Sequence, residues 1–459
     1  MADNLAIFAA IPEDVLGICQ RLRDKGKRGW VVGGCVRDVL LGRTAKDWDV
    51  ATDAHPEEVL SYFRKVIPTG IKHGTVTVVI HGKPYEVTTL RGEGAYADGR
   101  RPTEVCFLDD ITEDLARRDF TINAIAVDPL EQRIIDPFDG ERDLRDRLLR
   151  AVGDPSKRFA EDGLRILRGA RFAAVLGCAI EPKTFAAMSE TAAIATYAKV
   201  SAERIHDEWR KALKAPVPSV AFEIMRTTGM LALTCPELVE GVGCEQNRWH
   251  AFDVWGHTMA VMDACEDNVL LRLAALLHDV GKPRSREFSD KTKDYTFYHH
   301  EAIGAKMAEA ILRRLRASND DRERIVELVR HHLICYAPDW TDAAVRRWLR
   351  RVTPPLTEDL LALGRADARG KGKPLAEDLT RLDELRDRAA ALLAAGAAIG
   401  TRDLALDGRT LMDELRLPPS RRIGDILKAL VELVTDDPEA NTRERLLEEA
   451  RRLANDPTV

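Results

Sequence analysis

The sequence is short of several things, and each absence narrows what it encodes. No run of about 18 apolar residues occurs, so no transmembrane helix is expected. No basic segment followed by an apolar stretch opens the chain, so no secretory signal peptide is expected either. The eight cysteines are scattered and none forms a C-x-x-C pair. That excludes a zinc ribbon and a disulfide framework, and suits a reducing, cytoplasmic setting. Excess positive charge is also missing, the formal net charge being −6. Such a balance gives no global field to attract nucleic acid, so any RNA contact must rest on arginines gathered into local patches. What remains is the composition of an ordinary globular protein, rich in Leu, Ala and Arg, with aromatics at 6%. A length of 459 residues allows two to four domains with real cores.

The most informative stretch is residues 31–53, VVGGCVRDVLLGRTAKDWDVATD. It reads as a short apolar strand (Trp30 to Val32), a Gly33-Gly34 turn, a brief helix closed by Gly42, and a second strand from Asp47 to Thr52. The period of two along a strand puts Asp47 and Asp49 on one face, roughly 6.6 Å apart along the backbone. Two carboxylates so spaced can converge on a pair of Mg²⁺ ions, the arrangement that activates an attacking hydroxyl and steadies a leaving phosphate. The glycine pair lets backbone N–H groups approach an anion just before a helix N-terminus. Arg37, one turn into that helix, supplies a fixed donor. D-x-D alone is common, whereas Gly-Gly, Arg and D-x-D at this spacing are specific. The stretch GGCVRDVLLGRTAKDWDVAT resembles the signature of the class II tRNA nucleotidyltransferase and bacterial poly(A) polymerase family, with its polymerase-β-like catalytic head.

The resemblance implies an α+β chain, a head with a small mixed sheet followed by an all-α neck, body and tail. The expected divisions are a head at 1–140, a neck at 141–240, an HD-type helical domain at 245–380 and a tail at 381–459. EGVGCEQN (240–247) is the expected linker. Within the head, a helix is predicted from Pro12 to Gly26 and another over PEEVLSYF. Two alternating strands follow, GTVTVVIHG and PYEVTTLR, joined by a turn containing Gly82 and Pro84. The second strand sets Glu86 opposite Tyr85 and Val87, as a third carboxylate for the metal site. Alone it would read as an edge-strand charge that discourages pairing; the family's third carboxylate also falls here.

Residues 91–104 form a Gly- and Arg-rich loop of functional length, with Arg100 and Arg101 near its tip. In resembling enzymes a flexible loop here helps the switch from C to A addition. RRDFTINAIA (117–126) places Arg118, Asp119 and Asn123 near the start of a predicted helix and matches the family's ribose-recognition motif. DPFDGERDL (136–144) resembles the next family motif, with Asp139 before Gly140.

RFAEDGLRILRGARFAA (158–174) is predicted as one helix burying Leu164, Leu167 and Ala174, with Asp162 and Arg165 neighbours on the other face. For an arbitrary helix that pair would be a weak surface ion pair. The chemistry offers more. A carboxylate accepts from the exocyclic amines of cytosine and adenine, and a guanidinium donates to their ring acceptors. Guanine and uracil present the opposite pattern on both sides. EDGLR matches the family's base-template motif, and Arg168 and Arg171 extend the spacing toward a triphosphate or an RNA end. VSAERIHDEW (200–209) resembles the last neck motif.

Beyond it the character changes: seven of the eleven histidines fall between 250 and 332. LRLAALLHDVGKP is a buried helix with His278-Asp279 at its end, stopped by Gly281 and Pro283, while His299-His300, His331-His332 and Asp367 follow. Neutral imidazoles with carboxylates suit a mid-transition divalent metal such as Ni²⁺ or Mn²⁺. The pattern resembles the HD phosphohydrolase domain. That resemblance maps the ligands to His257, His278, Asp279 and Asp367, with His300 and His332 completing a second ion. Further on, AVRRWLRR is a basic amphipathic helix, RGKGKP (369–374) a basic loop, and Asn441 with Glu444 an N-cap signature for the last helix.

The resemblance as a whole implies a cytoplasmic enzyme that transfers C and A from CTP and ATP to the 3′ end of tRNA. Asp47, Asp49 and Glu86 would do the chemistry. Gly33, Gly34, Arg37, Arg118, Asp119, Asn123, Asp162, Arg165, Arg168 and Arg171 would hold the nucleotide. The sequence leaves open full CCA addition, A-only or CC-only addition, poly(A) synthesis, and an HD phosphohydrolase as the main activity. A silent RNA-binding protein is disfavoured by the intact carboxylates, and monomer and homodimer are both compatible.

Overall fold

The computed structural model describes residues 2–71, 74–92, 107–373 and 376–455. The chain forms two compact units, Met1–Pro236 and Glu237–Val459. From residue 93 onward the predicted loop at 91–104, with Arg100 and Arg101, lies outside the described residues.

The first unit is organised by a seven-stranded sheet: β1 (Gly29–Val32), β2 (Asp49–Thr52), β3 (Val66–Gly70), β4 (Thr75–Ile80), β5 (Lys83–Thr89), β6 (Ala126–Asp128) and β7 (Arg133–Ile135). Their spatial order is β3-β4-β5-β2-β1-β6-β7. Only β2 and β5 run parallel. β1, GWVV, is buried at every position, as a strand near the middle of a covered sheet must be. The β4–β5 hairpin turns on His81 and Gly82 alone, whose φ values of 48° and 81° are those of a type I′ turn. Pro84, expected in that turn, instead pairs with Val79 inside the ladder, beyond the reach of β2. The Glu13–Asp24 helix buries Val15, Ile18, Cys19 and Leu22. It lies so close to β1 that a Cβ at Gly29 would meet Leu22 at 2.9 Å.

Three local expectations in this unit are corrected. β2 begins at Asp49, so Asp47 lies in the segment leading into it. The RRDFTINAIA stretch starts no α-helix: after the Ile111–Ala116 helix it makes a 3₁₀ turn, Thr121–Asn123, and then enters β6. The single helix predicted over 158–174 is two, Pro155–Glu161 and Leu164–Leu176. The break has a packing cause, since a Cβ at Gly163 would sit 2.3 Å from the Tyr197 backbone nitrogen. Asp162, extended at φ −142°, then caps the second helix by accepting from the Leu164 N–H at 2.9 Å. The buried stripe of Leu164, Leu167 and Ala174 is as expected.

The second unit is helical apart from a small hairpin, Glu287–Ser289 with Asp294–Thr296, that the sequence did not announce. The unit boundary at Pro236 precedes the linker expected at 240–247. That stretch is tied down inside the second unit: Asp253 accepts from the Gly243 N–H, Lys282 donates to Gln246, and Arg286 pairs with Glu245. The helices Val254–Ala264, Val269–Leu277, His300–Arg314, Asn319–His331 and Pro354–Gly370 surround the histidine cluster. A separate apolar cluster, including Leu411, Ile426, Leu430 and Leu446, holds the last helices together. The Arg443–Ala454 helix is capped by Thr442 and not by Asn441, whose amide instead bridges the Ala405 N–H and the Asp403 carbonyl. Of the arginines of AVRRWLRR, Arg346 is buried and donates to the Thr435 carbonyl, while Arg347 and Arg350, nearer the surface, pair with Asp436 and Glu432.

Candidate active sites

The first site lies where β1 ends and β2 begins, beside the middle of β5. The parallel register Val50↔Val87 sets Asp49 beside Glu86 on the neighbouring strand. Glu86 is the outward-facing residue between buried Tyr85 and Val87. Burial and the nearby charges of Glu86 and Asp47 push the Asp49 carboxyl up to about 6, against the pull of Arg118. A carboxyl crowded by two neighbouring carboxylates is placed to share divalent cations with them, whose charge would relieve that repulsion. Even so, their oxygens do not close into a tight three-ligand group. Among the described residues such groups, with ligand atoms within 4.8 Å of one another, occur only in the second unit.

Gly33, at φ 86°, makes room for this arrangement. A Cβ there would stand 3.6 Å from Asp49 Oδ2 and 3.5 Å from an Arg118 nitrogen. From this turn a chain of hydrogen bonds crosses the unit. Arg37 donates to Asn123 Oδ1 (2.8 Å) and Arg118 to the Asn123 carbonyl (3.0 Å). Asn123 donates to Asp119 (3.0 Å), which also accepts from the Phe120 N–H and from Arg168 Nε (2.6 Å). Burial opposes the charge on Asp119, but Arg168 and these donors outweigh it and hold the carboxyl down at about 2. Phe172 gathers the cations. The guanidiniums of Arg171, Arg37 and Arg168 lie 3.9, 5.1 and 5.3 Å from its ring centroid. Arg171 is fixed on its other side by the buried Glu208 at 2.7 Å. Neither Phe172 nor Glu208 was foreseen: an aromatic on a helix reads as core until the arginines around it are placed.

Asp162 and Arg165 do not pair with each other. Arg204 donates to Asp162 Oδ2 at 3.0 Å. Arg165 pairs with Glu161 and donates to the carbonyls of Arg158 (3.0 Å) and Arg117 (2.9 Å). The helix break separates the two groups and gives each its own anchor. The Arg117 contact ties this helix to the 117–123 motif. Arg204, on the Ala202–Ala212 helix, is a positioning residue that motif spacing alone did not reveal.

The second site is buried in the Glu237–Val459 unit. Its six groups form two sets, His257 with His278 and Asp367, and Asp279 with His300 and His332. Of each histidine pair it is thus His300 and His332 that face the cluster. The tautomers follow from the backbone. Nδ1 of His278, His300 and His332 each lies 2.7 Å from a carbonyl, those of Ala275, Phe297 and Val329, so each Nδ1 is the donor and Nε2 carries the lone pair. Two of those lone pairs meet, Nε2 of His300 facing Nε2 of His332 at 3.3 Å, and Nε2 of His278 lies 3.3 Å from Nε2 of His257. Lone pairs converging in a buried site are satisfied only by cations. The donor set, with the outer nitrogens of His278, His300 and His332 held by carbonyls, fits a pair of divalent metals. Without metal, protons serve instead. Burial disfavours charge on His278, yet Asp279 and Asp367 push it up to about 10.

Two further residues complete the surroundings. Lys282, four residues after His278, is buried with Nζ 2.6 Å from Asp279 Oδ2 and 2.7 Å from Gln246. His250 stacks edge-on against His257 and is pushed down to about 3 by burial, Lys282 and His257. It is therefore neutral.

Comparison with known proteins divides the chain in the same way. Residues 29–150 match the Poly A polymerase head domain, 177–241 the probable RNA and SrmB-binding site of polymerase A, and 250–369 the HD domain. Curated relatives include the CCA-adding enzymes of Limosilactobacillus fermentum, 46% identical over 224 residues, and Geobacillus stearothermophilus, 47% over 220. These alignments cover 49% and 48% of this chain, and 55% and 54% of those proteins, so the chain matches about half the length of these relatives. The crystal structure of the Bacillus stearothermophilus CCA-adding enzyme in complex with CTP superposes with a TM-score of 0.72 at 29% identity, over 95% of this chain and 96% of that one. In order along the chain, then, stand matches to a Poly A polymerase head, an RNA-binding region and an HD domain, the order expected from the resemblance to the tRNA nucleotidyltransferase and poly(A) polymerase family.

Proposed function

We propose that the chain is a CCA-adding enzyme, transferring C and A from CTP and ATP to the 3′ end of tRNA. The observation that carries this reading is the continuous network from the Gly33 turn beside Asp49, through Arg37, Asn123 and Asp119, to the helix bearing Arg165 and Arg168. It joins a carboxylate site to a base-reading site through residues able to bind ribose and phosphate. Mg²⁺ held by Asp47, Asp49 and Glu86 would polarise the transferred phosphate and neutralise the charge that develops. Arg37, Arg168 and Arg171, clustered on Phe172, orient the triphosphate for in-line displacement of pyrophosphate. Asp162 uses two of its acceptor sites on Leu164 and Arg204, leaving others to accept from the amine of C or A. Arg165 keeps donors for the ring acceptors of the same bases. Relatives solved with CTP and with ATP are in keeping with this. The test is a tRNA lacking its 3′ end, incubated with each nucleoside triphosphate and resolved on a sequencing gel. Ordered addition of C, C and A supports the reading. A long tail from ATP alone, or no addition at all, overturns it.

A second reading rests on the converging imidazole lone pairs. The second site would be a metal-dependent phosphohydrolase that uses Ni²⁺ or Mn²⁺. Its assay is release of phosphate or opening of 2′,3′-cyclic phosphates across a metal panel.

A further inference from the structure

The six groups of the histidine site are not equally enclosed. His257 and His278 are 0% exposed and Asp279 1%, and His300 and His332 are also buried, but the Asp367 side chain is 24% exposed. The site therefore opens on the Asp367 side. There a cleft of ≈ 110 Å³ is lined by Asp367 and His332, one member from each metal-binding set, together with Tyr336, Lys371 and Arg381. Whatever enters it meets a residue of each group at once. Lys371 stands at the rim, one turn past Asp367 on the same helix end, with Nζ 3.6 Å from Asp367 Oδ2 and 3.9 Å from Asp378. Its side chain is 27% exposed, and both of these ion pairs are loose. A cation so placed is free to turn toward an incoming anion. Arg381, paired with Glu377, adds a second positive charge at the same wall.

The size of the cleft sets the ligand. Pockets that enclose whole drug-sized ligands run from roughly 300 Å³ upward. This one admits a phosphoryl group and little more, so the body of the substrate stays outside.

We propose that this cleft is the phosphoryl subsite of the histidine site and that Lys371 is its positioning cation, directing a terminal or cyclic phosphoester onto the Asp367–His332 wall. The proposal rests on the phosphohydrolase reading. In the step concerned, water adds to phosphorus, one ester P–O bond breaks, and the proton from water ends on the leaving oxygen. Lys371 donates to a non-bridging oxygen throughout and so acts on binding more than on the bond-breaking step.

The test uses the full chain loaded with Mn²⁺, with metal content measured in every variant. Losing one charge-assisted contact to phosphate corresponds to about tenfold in affinity or more. Lys371→Gln is expected to raise KM for a phosphoester, and the inhibition constant of inorganic phosphate, by about that factor. Metal content and kcat should change little, and Lys371→Arg should restore both constants. Direct titration of inorganic phosphate onto the metal-loaded protein gives a readout independent of turnover. Nucleotide addition to tRNA, in which Lys371 has no part, should be unchanged. If the unaltered chain hydrolyses phosphoesters but Lys371→Gln at full metal content leaves KM and phosphate binding as they were, the subsite assignment is wrong while the phosphohydrolase reading stands. If the unaltered chain hydrolyses nothing with any metal, both fall together.

Discussion

The two candidate metal sites bring their side chains together in opposite ways. In the head, Asp49 comes from the start of β2, Glu86 from the middle of the neighbouring β5 and Asp47 from the lead-in segment, and their oxygens form no tight three-ligand group. In the second unit, six candidate ligands converge as two groups, with the outer nitrogens of His278, His300 and His332 already anchored. On the reading proposed above, phosphates of the substrate would complete the head site, whereas the second unit offers two three-residue groups from the protein alone. An enzyme that adds successive nucleotides, as proposed, would gain from the first design. A site that holds its metals between turnovers gains from the second.

The hardest blow to this contrast comes from Asp49→Ala. Removing a ligand that polarises the reacting phosphate forfeits several kcal/mol, so single-turnover nucleotide addition should fall about 10³-fold or more, with metal content of the HD site unchanged. Because burial and like charges push Asp49 up to about 6, its ionisation opposes folding as pH rises from 3.8 through 6. Asp49→Asn in metal-free buffer above that range should therefore melt higher than the unaltered chain. A fall in melting temperature would mean that Asp49 is structural.

His278→Ala attacks the other side. It takes the cation from between the buried Asp279 and Asp367, and breaking a buried pair costs about 3 kcal/mol. Loss of bound metal, by elemental analysis, and a lowered denaturation midpoint are expected, with nucleotide addition retained. Metal retention at full occupancy would show that the six groups do not act as one centre.

Base choice sharpens the account of the head. Two unmet charged partners against guanine correspond to rejection on the order of 10⁴-fold. Asp162→Ala and Arg165→Ala should each lower C and A incorporation about 10²-fold and narrow the gap to G and U. Arg204→Ala, which frees Asp162 without removing it, should do the same more weakly. The unaltered preference surviving in both direct variants, measured with all four triphosphates, would place base choice elsewhere.

A smaller effect concerns the bridge between the motifs. Asp119, held down at about 2 chiefly by Arg168, is depressed from 3.8. Its contribution, about 2 kcal/mol, is present above pH 4 and is lost as pH falls through about 2. Asp119→Asn should lower stability at pH 7 by that amount in urea titrations and flatten the acid limb between pH 4 and 2. The smallest effect expected is that of Phe172→Leu. With the ring gone but the volume nearly kept, KM for the triphosphate should rise a few-fold through loss of about 1 kcal/mol of cation–π attraction.

Legibility followed the range of the forces involved. The strands around Asp49 and Glu86, the His278-Asp279 helix end and the buried stripe of Leu164 and Leu167 were open to reading, because period and capping act within a turn or two of the chain. Motif likeness then assigned roles to residues as far apart as Asp47 and Arg171. The misreadings share a cause. Nothing near residue 163 in sequence says that the Tyr197 backbone will press against it and split a helix. Nothing near residue 344 says that the arginines of AVRRWLRR will be claimed by Glu432 and Asp436. The same holds for choosing His300 over His299, for Arg204 as the anchor of Asp162, and for the opening at Asp367. Each depends on which groups from remote segments arrive at hydrogen-bonding distance, and that is decided by close packing of the whole unit rather than by any local preference of the chain.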